Sequence, residues 1–132
     1  MIGIDTNVLV RYVAQDDATQ AAIATRFIEE TLSREQPGHI SLVALAELVW
    51  VLRTRYDASR PEIARTLEVL LTAPRLRVQD EAAVWIAVDE YDAGPADFAD
   101  ALIAALGRVH GCSHTVTFDR KATRITGMTL LQ

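Results

Sequence analysis

Five acidic side chains carry the chemistry that this sequence offers: Asp5, Glu47, Asp97, Asp100 and Asp119. Asp5 follows directly on the short apolar run Ile2-Gly-Ile4, and Asp119 follows Thr115-Val-Thr-Phe118, so both fall at the carboxyl ends of expected strands. Glu47 is the only charge between Ile40 and Leu52. Asp97 and Asp100 are three residues apart at the start of an expected helix, a spacing that puts both carboxylates on one helix face. Each acid also has an ordinary explanation. Glu47 can pair with one of the 12 arginines or occupy the one exposed angle of its helix, and Asp97 can be a simple N-cap. Asp100 fits that account poorly, because it lies further into an apolar helix.

If these acids converge, each pair about 4 Å apart repels by about 4 kcal/mol at an effective dielectric of about 20. Such a cluster persists only with some acids protonated or with a cation among them. All-oxygen ligation without a usable Cys/His set points to a hard ion, Mg2+ or Mn2+. Other chemistries lack their residues. There is no Gly-Lys-Ser/Thr phosphate loop, no Gly-x-Gly-x-x-Gly turn and no Gly-x-Ser-x-Gly elbow. Asp5-Thr-Asn7 lacks the second Asp of a haloacid dehalogenase-type phosphotransferase. His110-Gly-Cys-Ser-His114 reads as a turn after a helix rather than a zinc site.

The elements that must position these acids follow from periodicity and turn chemistry. Ile2 to Ile4 reads as a first strand and Thr6 to Val13 as a helix with Val8, Leu9, Tyr12 and Val13 at helical spacing. A second helix has Ala18, Ala21, Ala22, Ala24 and Ile28 as its small inner face. Pro37-Gly38 turns the chain into a brief strand, His39 to Ser41, with Ser41 capping a helix from Leu42 to about Tyr56. A helix begins near Pro61 and carries Ile63, Leu67, Leu70 and Leu71. Arg75 to Val78 alternates like a strand, Glu81 to Tyr91 is helical, and Gly94-Pro95 breaks that helix. Asp97 to Val109 is a further helix, and Thr115 to Phe118 and Met128 to Leu131 are late strands. Strands alternating with helices imply an α/β sandwich around a mainly parallel sheet, whose ligands bind beyond the carboxyl ends of the strands.

At 132 residues, half of them hydrophobic, the chain has the length of one domain and enough apolar material for a core. The single cysteine, Cys112, excludes an intrachain disulfide framework and suits a cytoplasmic protein. Asp5 precedes any apolar run of signal-peptide type, and no stretch reaches the roughly 18 apolar residues of a membrane span.

In order and separation, Ile4-Asp5-Thr6-Asn7-Val8-Leu9, Ala46-Glu47-Leu48, Ala96-Asp97-Phe98-Ala99-Asp100-Ala101 and Thr117-Phe118-Asp119 resemble the PIN-domain ribonucleases. Within them the chain is similar to the toxin component, VapC, of VapBC toxin-antitoxin pairs. The resemblance spans nearly the whole chain and implies a single domain over residues 1–132, a PIN-like three-layer α/β sandwich with a mainly parallel twisted sheet. It implies Asp5, Glu47, Asp100 and Asp119 as catalytic, metal-binding acids, with Asp97 as an adjoining ligand or water-holder. Thr6, Asn7 and Thr117 match polar positions that orient the acids or their waters. The implied activity is hydrolysis of RNA phosphodiester bonds with Mg2+ or Mn2+. The implied partners are an RNA substrate, an antitoxin protein and a second copy of the chain in a homodimer.

The formal charge of −5 argues against gripping nucleic acid through bulk positive charge. The four proposed ligands account for four of those five negative charges, so divalent ions are the natural source of the missing cations. Arg120, Lys121 and Arg124 crowd just beyond Asp119 and are the expected RNA-positioning residues, with Arg53, Arg55, Arg60 and Arg65 on and after the Glu47 helix. Trp50 and Tyr56, among the helices from Ser41 to Leu71, are the expected antitoxin-docking aromatics. Two rivals remain at this point. One is a catalytically silent PIN-like binding module with its acids paired to Arg. The other is a receiver-type phosphoaspartate switch, which lacks here its paired acids after the first strand.

Overall fold

A computed structural model describes all residues, Met1–Gln132, and divides them into two compact units, Met1–Gln79 and Asp80–Gln132. The first holds β1 (Ile2–Gly3), α1 (Thr6–Ala14), α2 (Ala18–Arg26), a π-helical turn (Phe27–Thr31), β2 (Gly38–Ile40), α3 (Leu42–Arg55), α4 (Arg60–Thr72) and β3 (Leu76–Val78). Its three strands pair in the order β1-β2-β3, all parallel, with Ile2 opposite Gly38 and Gly38 opposite Leu76. Parallel strands need helical crossovers between them, and the sequence supplies two helices in each. The second unit holds α5 (Glu81–Ala93), α6 (Phe98–Val109), β4 (Thr115–Thr117), a 3-10 helix (Lys121–Arg124) and β5 (Met128–Leu130), with β4 and β5 again parallel. The α/β class and the parallel pairing agree with the sequence. The hydrogen-bonded ladders are two rather than one, and each strand is only two or three residues long.

Local chemistry starts the helices where the sequence placed them. The Ser41 hydroxyl accepts from the Ala44 N–H at 3.1 Å and opens α3. Ser59 and Glu62 form a reciprocal capping box at α4, with Pro61 in its first turn. The apolar faces then bury Leu9, Ile40, Leu48, Ile63 and Leu67 in the first unit, and Val84, Val88, Phe98 and Ala104 in the second. Tyr91 and Phe98 meet edge to face at 5.9 Å between ring centroids, which ties the end of α5 to the start of α6. One expected face is corrected. Only Ala21 and Ala24 of α2, followed by Ile28, are buried, whereas Ala18 and Ala22 are exposed. Alanines carry so little apolar area that their spacing does not select a face on its own.

Gly38 sits in the middle strand, and a side chain there has no room. A Cβ would lie 2.5 Å from the Ile4 Cδ1, 2.8 Å from a Leu32 methyl and 3.1 Å from a Leu76 methyl. Three methyl groups closing on one point cannot all retreat within a packed core, so Gly38→Ala should cost about 1–3 kcal/mol. Thermal unfolding should show a lowered midpoint. An unchanged midpoint would mean that the sheet is not packed as described.

Candidate active site

In the first unit the chemistry gathers where β1 gives way to α1 and where α3 passes. Asp5 is the N-cap residue of α1, yet its carboxylate makes no capping hydrogen bond, and the residue is exposed. An acid left out of the cap it is placed to make is free for another ligand. Asp5 and Asn7 line an apolar groove of about 570 Å³ with Val8, Arg11, Ile23 and Phe27. Between them Thr6 is the only buried polar side chain of the protein, and its hydroxyl donates to the Glu47 Oε1 at 3.3 Å. Thr6 therefore anchors Glu47 from 41 residues away in sequence.

Glu47 does not stand in an all-round buried helix. It is exposed, on the one solvent-facing stripe of α3, with Val43 and Trp50 also exposed on either side. The opposite face, Ala44, Leu45, Leu48, Val49 and Leu52, carries the burial. The run of apolar residues hid this geometry, because Val43 and Trp50 are hydrophobic residues left in water.

In the second unit Asp97, Asp100 and Asp119 line one pocket of about 370 Å³, together with Lys121 and Arg124. Asp97 is the N-cap of α6, its Oδ1 accepting from the Asp100 N–H at 3.1 Å, which brings the two acids together across the first turn. The Thr117 hydroxyl accepts from the Asp119 N–H at 3.0 Å, and the Asp119 Oδ1 accepts from the Lys121 N–H at 2.9 Å. These bonds fix the loop after β4. Beneath it Ala122 and Ile125 pack on Ala104 of α6, holding the 3-10 helix against the helix that carries Asp100. Arg120 is exposed and does not line the pocket.

Asp100 is half-buried and its carboxyl is held above the ordinary value of 3.8, first by burial and then by the negative charges of Asp97 and Asp119. A site that resists negative charge in this way attracts a cation. Its donors are all oxygens, so the residues fit a hard divalent ion better than zinc. The side chains do not stand as a finished cage, since no three His, Cys, Asp or Glu groups are arranged to hold an ion.

Arg65 pairs with Glu68 within α4, at 2.9 Å. The Tyr56 hydroxyl donates to Asp16, which also accepts from Arg11 at 3.1 Å, so Tyr56 closes an internal network rather than presenting a free polar tip. This network, joining residues 40 apart, had no signal in the sequence. His110 lies 3.9 Å from Asp80, and Ser113 contacts His114 at 2.9 Å, so the His-Gly-Cys-Ser-His segment is a turn with local partners.

The family model described as PIN domain matches residues 2–128 of the chain. No curated protein matches it. PIN domains are typically nucleases and generally use divalent metal ions.

The raised Asp100 pKa has a testable sign. A carboxyl whose folded pKa exceeds its unfolded value stabilises the fold below the unfolded pKa, and that contribution is lost as pH rises through the folded pKa. Ionised Asp100 is thus unfavourable in the ion-free protein at neutral pH. In chelator, Asp100→Asn should raise the unfolding temperature at neutral pH, with the gain fading on acidification toward the ordinary carboxyl value. By NMR the Asp100 carboxyl should titrate above 3.8, and Asp119→Asn should lower that midpoint. A midpoint unmoved by Asp119→Asn would separate the two acids.

Proposed function

The chain belongs to the PIN-domain family, and from that premise we propose that it is a divalent-metal-dependent ribonuclease acting as the toxin of a type II toxin-antitoxin pair. The observation that supports this most is the acidic pocket of Asp97, Asp100 and Asp119 bordered by Lys121 and Arg124. Acids for an ion and cations for a phosphate line the same cavity. Residues 1–132 act in this account as a single PIN domain in the cytoplasm. No helix is long and apolar enough to cross a membrane.

The acids that would hold Mg2+ or Mn2+ are Asp5 and Glu47 in the first unit and Asp100 and Asp119 in the second, with Asp97 as an adjoining ligand. When bound there, a divalent ion would supply Lewis acidity toward the phosphate and lower the pKa of a water nucleophile. The chain's own groups do the rest. Thr6 keeps Glu47 in one orientation through the bond to its Oε1, so that Glu47 spends little conformational freedom on binding. Thr117 and the Lys121 N–H hold Asp119 in the loop after β4, leaving its second oxygen for a ligand. Asp100, whose carboxyl burial and the charges of Asp97 and Asp119 hold above the ordinary value, is the acid that a cation's charge would relieve most. Lys121 and Arg124 neutralise phosphate oxygens at the rim, with Arg120 as an outer contact on the approaching strand. Asn7, exposed beside Asp5, presents an amide to water or to a phosphate oxygen. No side-chain nucleophile is needed.

A cognate antitoxin and a second copy of the chain are the proposed protein partners. A catalytically silent PIN-like module is the second reading, and one observation favours it: no three acids stand arranged to hold an ion. The two readings separate on total cellular RNA with Mg2+ or Mn2+ present. Wild-type protein should cleave it and chelator should abolish cleavage. Loss of groups that merely orient ligands costs about 10- to 100-fold, so Asp5→Asn, which removes a ligand, should lower activity by about 100-fold or more. Equal cleavage by both proteins, or cleavage indifferent to chelator, would sink the ribonuclease mechanism.

A further inference from the structure

Two tryptophans occur in the chain, and they have opposite fates. Trp85 is half-buried on α5, whereas Trp50 is 54% exposed on α3. Of the large aromatics left in water, Tyr56 is tied to Asp16 and Phe118 lies beyond the end of β4, while Trp50 stands three residues after Glu47. Residues three apart on a helix are surface neighbours, about 5–6 Å between their Cβ atoms. Long helical side chains also lean toward the N-terminus, which carries the indole over the turn that presents Glu47.

The next neighbour in the same direction is Arg53, three residues on and exposed, followed by exposed Arg55. Neither guanidinium has a carboxylate partner, in contrast to Arg11 and Arg65. The solvent face of α3 therefore reads acid, indole, guanidinium in steps of about 4.5 Å along the helix axis. That order suits one nucleotide and the phosphate after it. An ion at the acid takes the reacting phosphate, the aromatic face takes the base, and the cation takes the next phosphate. An apolar protein segment would use the indole but leave Glu47 and the two arginines without matching charges.

We propose that Trp50 is a substrate-binding residue that stacks an unpaired nucleobase beside the phosphate served by Glu47, with Arg53 holding the neighbouring phosphate. This rests on the ribonuclease reading and adds a substrate class to it: RNA whose base next to the cut is free of a helix, since a paired base has no open face to offer. Stacking on an aromatic is tolerant of base identity, so Trp50 selects for unpaired structure more than for sequence.

The test uses the full chain and a single-stranded oligoribonucleotide. Trp50→Ala should raise KM about tenfold with kcat little changed, Trp50→Phe should restore most of the loss, and Trp50→Leu, equally apolar but unable to stack, should not. Binding is read separately in a Trp85→Phe, Asp5→Asn protein, where Trp50 is the only indole and cleavage is blocked. Its fluorescence should be quenched by the oligonucleotide and not by an abasic strand of equal length. Wild-type KM in Trp50→Ala together with unquenched fluorescence would overturn the proposal while leaving the ribonuclease reading intact. The same result with loss of self-association or of antitoxin binding would overturn it in favour of protein docking. Should wild-type protein cleave no RNA, the ribonuclease reading fails, and the quenching comparison still decides whether Trp50 receives a base.

Discussion

Repulsion among carboxylates is the constraint on which the rest depends. Asp97, Asp100 and Asp119 share one pocket, where burial and then the two outer acids raise the proton affinity of the half-buried third. A fold gains nothing in stability from that arrangement, because unbalanced charge near an apolar interior is costly. The surrounding structure nonetheless enforces it. Asp97 is fixed by capping α6, Asp119 by Thr117 and the Lys121 backbone, and the 3-10 helix by its packing on Ala104. Each of these is an ordinary stabilising interaction used to hold an unfavourable group in place, a pattern that belongs to binding sites.

The first unit shows the same economy with different means. Asp5 occupies a cap position without making the cap bond, and Thr6 gives up a hydroxyl in the interior to orient an exposed Glu47. The groups that could satisfy Asp5 and Glu47 locally are thus withheld or reduced to one contact. The acidic excess of the chain is then a property of particular positions, and the basic residues Lys121 and Arg124 stand at the pocket where a phosphate has use for them.

What the sequence makes legible is what short-range chemistry decides. Ser41, Pro61 and Asp97 each signal a helix start within a few residues, and all are found there. The expected strands run one residue beyond the observed ones at Ile4, Ser41, Phe118 and Leu131, although the Ile4 and Leu131 N–H groups still donate to the His39 and Thr117 carbonyls. Of the readings open for Glu47, the exposed angle of its helix is the one found. Hydropathy reports how apolar a helix is but not which angle the core covers, and Val43 and Trp50 are exposed despite their type. The π-helical turn after α2, the Thr6 contact to Glu47 and the Tyr56 contact to Asp16 depend on tertiary packing and leave no local signature. The family resemblance reached the fold class because it compares whole patterns, and it could not tell that Tyr56 is already engaged.

The central claim is that the acids exist to bind a divalent ion. Calorimetric titration of Mn2+ into wild-type protein and into Asp100→Asn addresses it without any assumption about RNA. A saturable heat in the wild type and a greatly weakened response in the variant are the predicted result. No binding heat in the wild type, or equal binding by the two proteins, would contradict the account.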